Sequence, residues 1–428
     1  MQSVDLEKYC GAPSYTDIPA CLQIGGEKMK RILAFLLVLT VALGLGACVG
    51  PEEASPQAGG EGAAAAAEYP YAPVPIYNAQ NEKIGELEQS GSVYPTEGGF
   101  VYTKRVDDRI GLDISGGVID IEYYLYTVSS GEHIKIGAVQ NHYMQSKGVL
   151  LQNHLFFFEV IYTEEESVVK LLDLDLENHT MSEVYSEVDG SYFQSMAGVG
   201  ESLFFAKPVE NGACIQEYNI SEKKMKTLMR ISWDAASDER EMLRSLWADE
   251  NTISLLMLET DTGRSKEPAH LRVDVYDRDM KFLGSRYISG VTDEEGQNQF
   301  AMNFIYSSGF LYYQNASFTS FLGRVTDKGV ERLLEDDSAR MAYETAQIPE
   351  TKLLYRSYEE GNTLYLVDMK TGDIREGSFS ADDELYQIKD VSRDTGGNVW
   401  IRMGYEDPST DERPERLYYV SESDLHFS

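Results

Sequence analysis

Cys48 is the residue whose surroundings announce a chemistry. It closes the stretch KMKRILAFLLVLTVALGLGAC (28–48). There a basic tip of Lys28, Lys30 and Arg31 precedes an apolar run from Ile32 to Leu45, and small residues follow. A charged start, an apolar middle and a small-residue end are the parts of a secretory signal peptide. The run is shorter than the roughly 20 residues that span a bilayer, which favours a cleaved signal over an uncleaved anchor. The thiol therefore stands where processing would occur. The other candidate groups give weaker signals. The six histidines, His133, His142, His154, His179, His270 and His426, form no close pair and no His-Glu-x-x-His motif, so no metal site is expected. His142 and His154 flank one hairpin and read as lone turn residues. There is no Gly-x-Ser-x-Gly and no phosphate-cradling loop, so no catalytic residue is nominated. Carboxylates abound, but the sequence locates no pair at the spacing a glycosidase needs. The acidic stretches 292–296 and 407–412 lack the alternating oxygen ligands of a calcium loop, and no cofactor is expected.

The last residues of the signal, Leu45-Gly46-Ala47-Cys48, resemble the lipobox of bacterial lipoproteins. The resemblance implies cleavage before Cys48 and a diacylglycerol on its thiol. The membrane then becomes a partner through the N-terminal lipid. The expected location is the cell membrane, lipid-anchored on the extracytoplasmic side. Met29 is the expected start. Gly25-Gly26-Glu27-Lys28 stands just before it, and codons for Gly-Gly-Glu read as a ribosome-binding site at a suitable distance. Residues 1–28 are then an upstream segment outside the translated protein, 29–47 the signal peptide, and 48–73 a tether. The tether, rich in Ala, Gly, Pro and Glu, has almost nothing to bury and is expected to be disordered.

The chain carries 71 acidic and 37 basic residues, a net charge of −34. Acidic and basic residues balance before Cys48, so the mature chain keeps the whole charge. This balance argues against nucleic acid and against a direct electrostatic grip on anionic lipid, since both need clusters of Lys and Arg. With Cys48 lipidated, Cys214 is left alone. Its segment, Ala213-Cys214-Ile215, reads as a strand in which Cys214 is a small buried apolar residue.

From Val74 onward the pattern is all-β, with short apolar runs broken by Gly, Asn, Asp and Ser. A repeat runs through it. A strand, a tight polar turn and a strongly apolar second strand recur, the second strands beginning near Phe100, Leu155, Leu203, Ile253, Phe310, Leu353 and Val399. A third strand and usually a fourth follow. Four antiparallel strands in about 50 residues make the blade of a β-propeller. Seven such units account for residues 74–428. The seventh has little chain left for a fourth strand. The N-terminal VPIYNAQNEKIGELE (74–88) is expected to complete it. Runs such as Leu155-Phe156-Phe157-Phe158 suit strands covered on both faces, so charge at Phe157 should cost far more than charge at Glu165.

Residues 388–401, IKDVSRDTGGNVWI, resemble the blade motif of the periplasmic propellers of two-component sensors, through Asp394, Gly397, Asn398, Trp400 and Ile401. Leu-Tyr-Leu-Val-Asp368 and Leu-Leu-Asp-Leu-Asp175 are similar to segments of generic bacterial seven-bladed propellers. These motifs imply blades and name no ligand. The second-to-third connections 105–117, 259–270, 314–320 and 404–415 are long. They should emerge on one face with the inter-blade stretch 289–299, where binding usually resides. The expected function is a non-catalytic binding or scaffolding module for an envelope complex, sensing or glycan capture, with a protein or glycan partner on that face. The alternatives are a glycan hydrolase or lyase using carboxylates in the propeller funnel, and a purely structural surface protein.

Overall fold

The apolar runs form strands, and the strands form a β-propeller. The computed structural model describes residues 73–427 except 89–91, 107–118, 147, 163–165, 189–194, 210, 233–238, 262–269, 289–300, 308, 316–319, 327, 337–340, 344–350, 359–360, 369, 380–384, 395 and 406–413. The signal, Cys48, the tether to residue 72, Glu165, the acidic stretches 292–296 and 407–412 and nearly all of each long connection therefore lie outside the described residues.

A hairpin of β1 (Val74–Tyr77) and β2 (Lys83–Leu87) comes first. The first unit is β3 (Val93–Thr96), β4 (Gly99–Arg105), β5 (Ile119–Thr127) and β6 (Glu132–Gln145). The second is β7 (Val149–Leu151), β8 (His154–Tyr162), β9 (Ser167–Asp175) and β10 (Thr180–Val188). The third is β11 (Met196–Val199), β12 (Ser202–Val209), β13 (Gly212–Asn219) and β14 (Lys224–Ser232). The fourth is β15 (Glu239–Ala248), β16 (Thr252–Asp261), β17 (His270–Asp277) and β18 (Phe282–Ile288). The fifth is β19 (Ala301–Ser307), β20 (Phe310–Asn315), β21 (Ser320–Thr326) and β22 (Gly329–Asp336). The sixth is β23 (Met341–Tyr343), β24 (Thr351–Tyr358), β25 (Gly361–Asp368) and β26 (Ile374–Ser378). The last unit combines β27 (Tyr386–Arg393), β28 (Asn398–Tyr405) and β29 (Glu415–Ser421) with the N-terminal hairpin, in the order β2-β1-β29-β28-β27.

Two features depart from a plain repeat. The N-terminal hairpin completes the last sheet, as its sequence suggests, but adds two strands to three. Because β1 keeps the direction of a third strand, it lies parallel to β29, Ile76 beside Leu417 and Tyr77 beside Tyr418. The first two units share one eight-stranded sheet, because β6 outruns β5 and its end pairs with β8, Gln145 opposite Glu159. A further regularity lies in the outer strands. Ile84, Ile136, Val184, Leu228, Leu283 and Leu333 are each stepped over by the register with the neighbouring strand. Each is a β-bulge, which bends an edge and interrupts its pairing.

The apolar core lies between the sheets. Each of seven clusters among the described residues draws on two consecutive units. Phe158 of the second unit packs edge-on against Phe205 of the third, with ring centroids 5.5 Å apart. The series closes on itself: Ile76, Leu417 and Trp400 of the last unit pack with Phe100, Tyr102 and Tyr126 of the first. Trp400 meets the Phe100 ring edge-on at 4.3 Å. The turn before it is held by Asp394, whose carboxylate accepts from the Asn398 backbone and side-chain amides at 2.8 and 2.9 Å. Gly397 there has φ +80°, a left-handed conformation that glycine adopts at no steric cost. Phe156 and Phe157 are fully buried, each worth roughly 1.5–3 kcal/mol in apolar burial. Cys214 is buried in β13, paired with Lys207 on one side and Arg230 on the other.

Candidate functional site

The most buried charged-type side chain among the described residues is a carboxylate. Glu159 sits in the run Phe156-Phe157-Phe158-Glu159-Val160 of β8 and has 0% of its surface exposed. A charge there needs partners, because an unpaired one costs several kcal/mol or neutralises. Its neighbours supply them. Tyr123 of β5 donates its hydroxyl to Glu159 Oε2 at 3.0 Å, with Gln145 Oε1 as a second acceptor at 3.2 Å. His142 of β6 meets Glu159 Oε1 through Nδ1. The network continues across the two units. Gln145 Nε2 donates to the Tyr94 hydroxyl, and Tyr94 donates to the Ser146 carbonyl at 3.3 Å. Ser146 is locked in turn, because its Oγ accepts from the Phe158 backbone amide at 2.8 Å.

The local sequence explains the assembly. β6 carries His142 and Gln145, with Ser146 just after it, to the second unit because it continues past β5. A bulge near His142 resets which side chains face inward. Ile119, the first residue of β5, pairs with His142, and Glu159 lies three residues before the end of β8. The network therefore lies toward the end of the sheet from which connections 106–118 and 163–166 depart. The first of these is one of the long second-to-third connections read from the sequence.

Burial pushes the Glu159 carboxyl above its usual range, against the opposing pull of His142 and Tyr123. Burial first, then the Glu159 charge, drives the Tyr123 hydroxyl well above its ordinary value. Burial does the same to Tyr94. His142 keeps 15% of its side chain exposed. A carboxylate on Nδ1 fixes the ring and its tautomer, the relation that orients a catalytic base. No Ser, Thr or Cys among the described residues hydrogen-bonds His142. What the arrangement offers is a rigid polar frame with one semi-exposed imidazole.

The histidines correct the reading of lone turn residues. His142 lies within a strand. His154 opens β8, and its Nδ1 meets Asp173 Oδ1 at 2.8 Å. Burial raises the Asp173 pKa, with His154 opposing. His133 takes its Nδ1 to the Tyr102 hydroxyl at 2.9 Å, and burial lowers its pKa. His179 and His426 do occupy left-handed turn positions, with φ 53° and 49°. The side chain of His270 lies outside the described residues. Among the described residues no group of three or more His, Cys, Asp or Glu side chains could hold a metal ion. Sequence reasoning missed Glu159, Tyr123 and Gln145. The available signal was a single acid inside a doubly covered apolar strand, which can stand there only if partners meet it.

No protein-family model and no curated protein sequence matches this chain. Solved structures do. The β-propeller domain of the trilobed protease from Pyrococcus furiosus, described as having an open velcro topology, matches at 11% identity and TM-score 0.46. That match covers 77% of this chain and 92% of that one. An uncharacterised protein of Listeria monocytogenes matches at 10% identity and TM-score 0.42, over 78% of this chain and 94% of that one. An acylaminoacyl peptidase of Pyrococcus horikoshii matches at 12% identity and TM-score 0.38, over 60% of this chain, which spans 42% of that peptidase.

Proposed function

We propose that the chain is a membrane-anchored extracytoplasmic lipoprotein whose body, a seven-bladed β-propeller, is a non-catalytic binding or scaffolding module. The observation that carries this reading is the buried network of Glu159, His142, Tyr123, Gln145 and Tyr94. It braces the first two units, and it presents an oriented imidazole that no Ser, Thr or Cys among the described residues hydrogen-bonds. Bracing of this kind holds recognition loops on a rigid support. The seven-blade count rests on the seven apolar clusters, each shared by consecutive units and closing at Trp400 and Phe100. The partner is a protein or glycan met by the long-connection face. Lipid on Cys48 holds the body at the membrane.

A second reading, a glycan hydrolase or lyase, draws on Glu159, a carboxyl whose pKa burial raises beside a semi-exposed histidine. Two measurements test the pair of readings. Metabolic labelling with a fatty-acid precursor should tag the wild-type chain in the membrane fraction, and Cys48→Ser should lose the tag; a tag retained on the serine variant ends the anchor reading. Incubation of the purified chain with cell-wall glycan fragments should give retention without new products by mass spectrometry. Product release abolished by His142→Ala would replace the binding module with the enzyme.

A further inference from the structure

The rim between the third and fourth units carries a surface that the overall charge of −34 conceals. β14 reads Lys-Met-Lys-Thr-Leu-Met-Arg-Ile-Ser, and Lys224 and Lys226 are exposed on it. β18 carries the three largest exposures of bulky apolar side chains among the described residues apart from Val188: Phe282 at 53%, Leu283 at 55% and Tyr287 at 58%. Register places these groups together. Lys226 pairs with Glu217, on the face of β13 that reaches Arg278 of the fourth unit at 4.0 Å. Tyr287 pairs with Arg272 and Phe282 with Tyr276, and Tyr276 packs into the cluster shared with the third unit. The lysines of β14 therefore lie on the side of their sheet turned toward the fourth unit, and Phe282 and Tyr287 on the side of theirs turned toward the third, so both sides of the rim between the two units carry them. Leu228, Met229 and Met280 pack, partly buried, against the apolar cluster beneath. Lys281 is exposed at the turn beside Phe282. Glu222 pairs with Lys224 at 3.2 Å, Asp277 holds its own turn by accepting from the Asp279 and Lys281 amides, and Asp279 is exposed in that turn, so Lys226 and Lys281 are the ammonium groups that no acid among the described residues pairs with.

From this we propose that the groove between β14 and β18 is a docking surface for an anionic lipid bilayer, laying the propeller on its side against the membrane. Exposed aromatic and aliphatic side chains flanked by lysines suit the interface of an anionic membrane, where rings enter the headgroup layer and ammonium groups meet phosphates. Charge complementarity is local here, since a Debye length of about 8 Å screens the distant acidic surface. The outer edges are poorly suited to the other obvious use, addition of a partner strand. Leu228 and Leu283 bulge out of β14 and β18, and Gly284 sits at φ +157° beside the second bulge. Interrupted edges blunt backbone pairing, which leaves the side chains to make the contact. The anchor reading supplies the reason a bilayer is close; the docking surface itself depends only on these residues.

The test uses the full chain with an environment-sensitive fluorophore on Tyr287→Cys, and a control label on Ser378→Cys of the sixth unit. Vesicles of phosphatidylcholine alone, or mixed with phosphatidylglycerol, are compared with the chain carrying either Cys48 or Cys48→Ser. The expected result is a blue shift at position 287 on the anionic vesicles only. It should fade with added salt, and the label at 378 should stay silent. The variants Lys226→Glu and Lys281→Glu should each weaken the response about fivefold, from the roughly 1 kcal/mol that each basic residue contributes near an anionic surface. Equal shifts on both vesicle types, equal shifts at both labels, or charge reversal without effect would overturn the proposal. So would a response to a soluble acidic polypeptide in place of vesicles, which would make the groove a protein site. A lost lipid tag with a retained shift at 287 would sink the anchor and leave the groove; the converse would sink the groove alone.

Discussion

Tyr123→Phe should destabilise the protein more than Glu159→Leu, although the second substitution removes a buried charge. The ordering follows from who keeps a partner. Removing the Tyr123 hydroxyl leaves Glu159 Oε2 without its donor at a site with no exposed surface. A buried hydrogen bond to a charged acceptor is worth about 1.5–3 kcal/mol, so a loss of about 2 kcal/mol is expected. Removing the carboxylate is milder. Tyr123 can turn fully to Gln145 Oε1, already at 3.2 Å, and the partly exposed His142 can take water. A cost of about 1 kcal/mol is expected there, within the range for a lost net hydrogen bond. In the Glu159→Leu background, Tyr123→Phe then loses only the bond to half-buried Gln145, so the two substitutions should couple by about 1–2 kcal/mol, as groups in one network do. Urea midpoints of the four proteins, followed by tryptophan fluorescence and far-ultraviolet circular dichroism, give the cycle. Additive costs, or Tyr123→Phe within about 0.5 kcal/mol of wild type, would refute the network as drawn.

Three further outcomes are expected. Burial raises Glu159 above the ordinary carboxylate value of 4.5, so the native state keeps that proton to higher pH than the unfolded chain. Stability should fall as pH rises from 4.5 through the raised native value and stay at the lower level above it. Urea midpoints across pH should show Glu159→Gln losing that fall. The Tyr126 hydroxyl is buried without a hydrogen-bond partner among the described residues, so Tyr126→Phe should be neutral or stabilising by up to about 1 kcal/mol. A Cβ on Gly85 would overlap that hydroxyl, so Gly85→Ala should lower the melting temperature and Tyr126→Phe should restore part of the loss. Ile76 is fully buried at the parallel seam that closes the last unit; Ile76→Ala should cost about 3 kcal/mol, with limited proteolysis cutting first near residues 78–82.

Much of the fold was legible in local signals. Strands such as LFFFEVIY declare themselves because both faces are covered, and the repeat because each unit buries its neighbour. Asp394, Gly397 and Asn398 spell a turn by their own chemistry, and Trp400 packs behind it. The N-terminal hairpin could be assigned to the last unit because its pattern matches a third-to-fourth strand pair. The parallel seam was not legible, since strand direction depends on which neighbour is already in place.

The candidate site was hardly legible at all, and the histidine reading shows why. His142 looked like a turn residue because the sequence does not say that β6 runs on into the next sheet. Once it does, residues 94, 123, 142, 145 and 159 converge, although no short spacing links them. The rim groove follows the same rule. Composition alone shows an acidic chain, and a strand of period two turns each residue toward one neighbour or the other. Only the register, shifted by bulges at Leu228 and Leu283, decides that Lys224 and Lys226 turn toward the fourth unit and Phe282 and Tyr287 toward the third. By itself the sequence determined the elements and the repeat, because these depend on neighbours along the chain. The tertiary structure decided which distant side chains meet and which sign of charge gathers at one place on the rim, because those depend on pairing between strands.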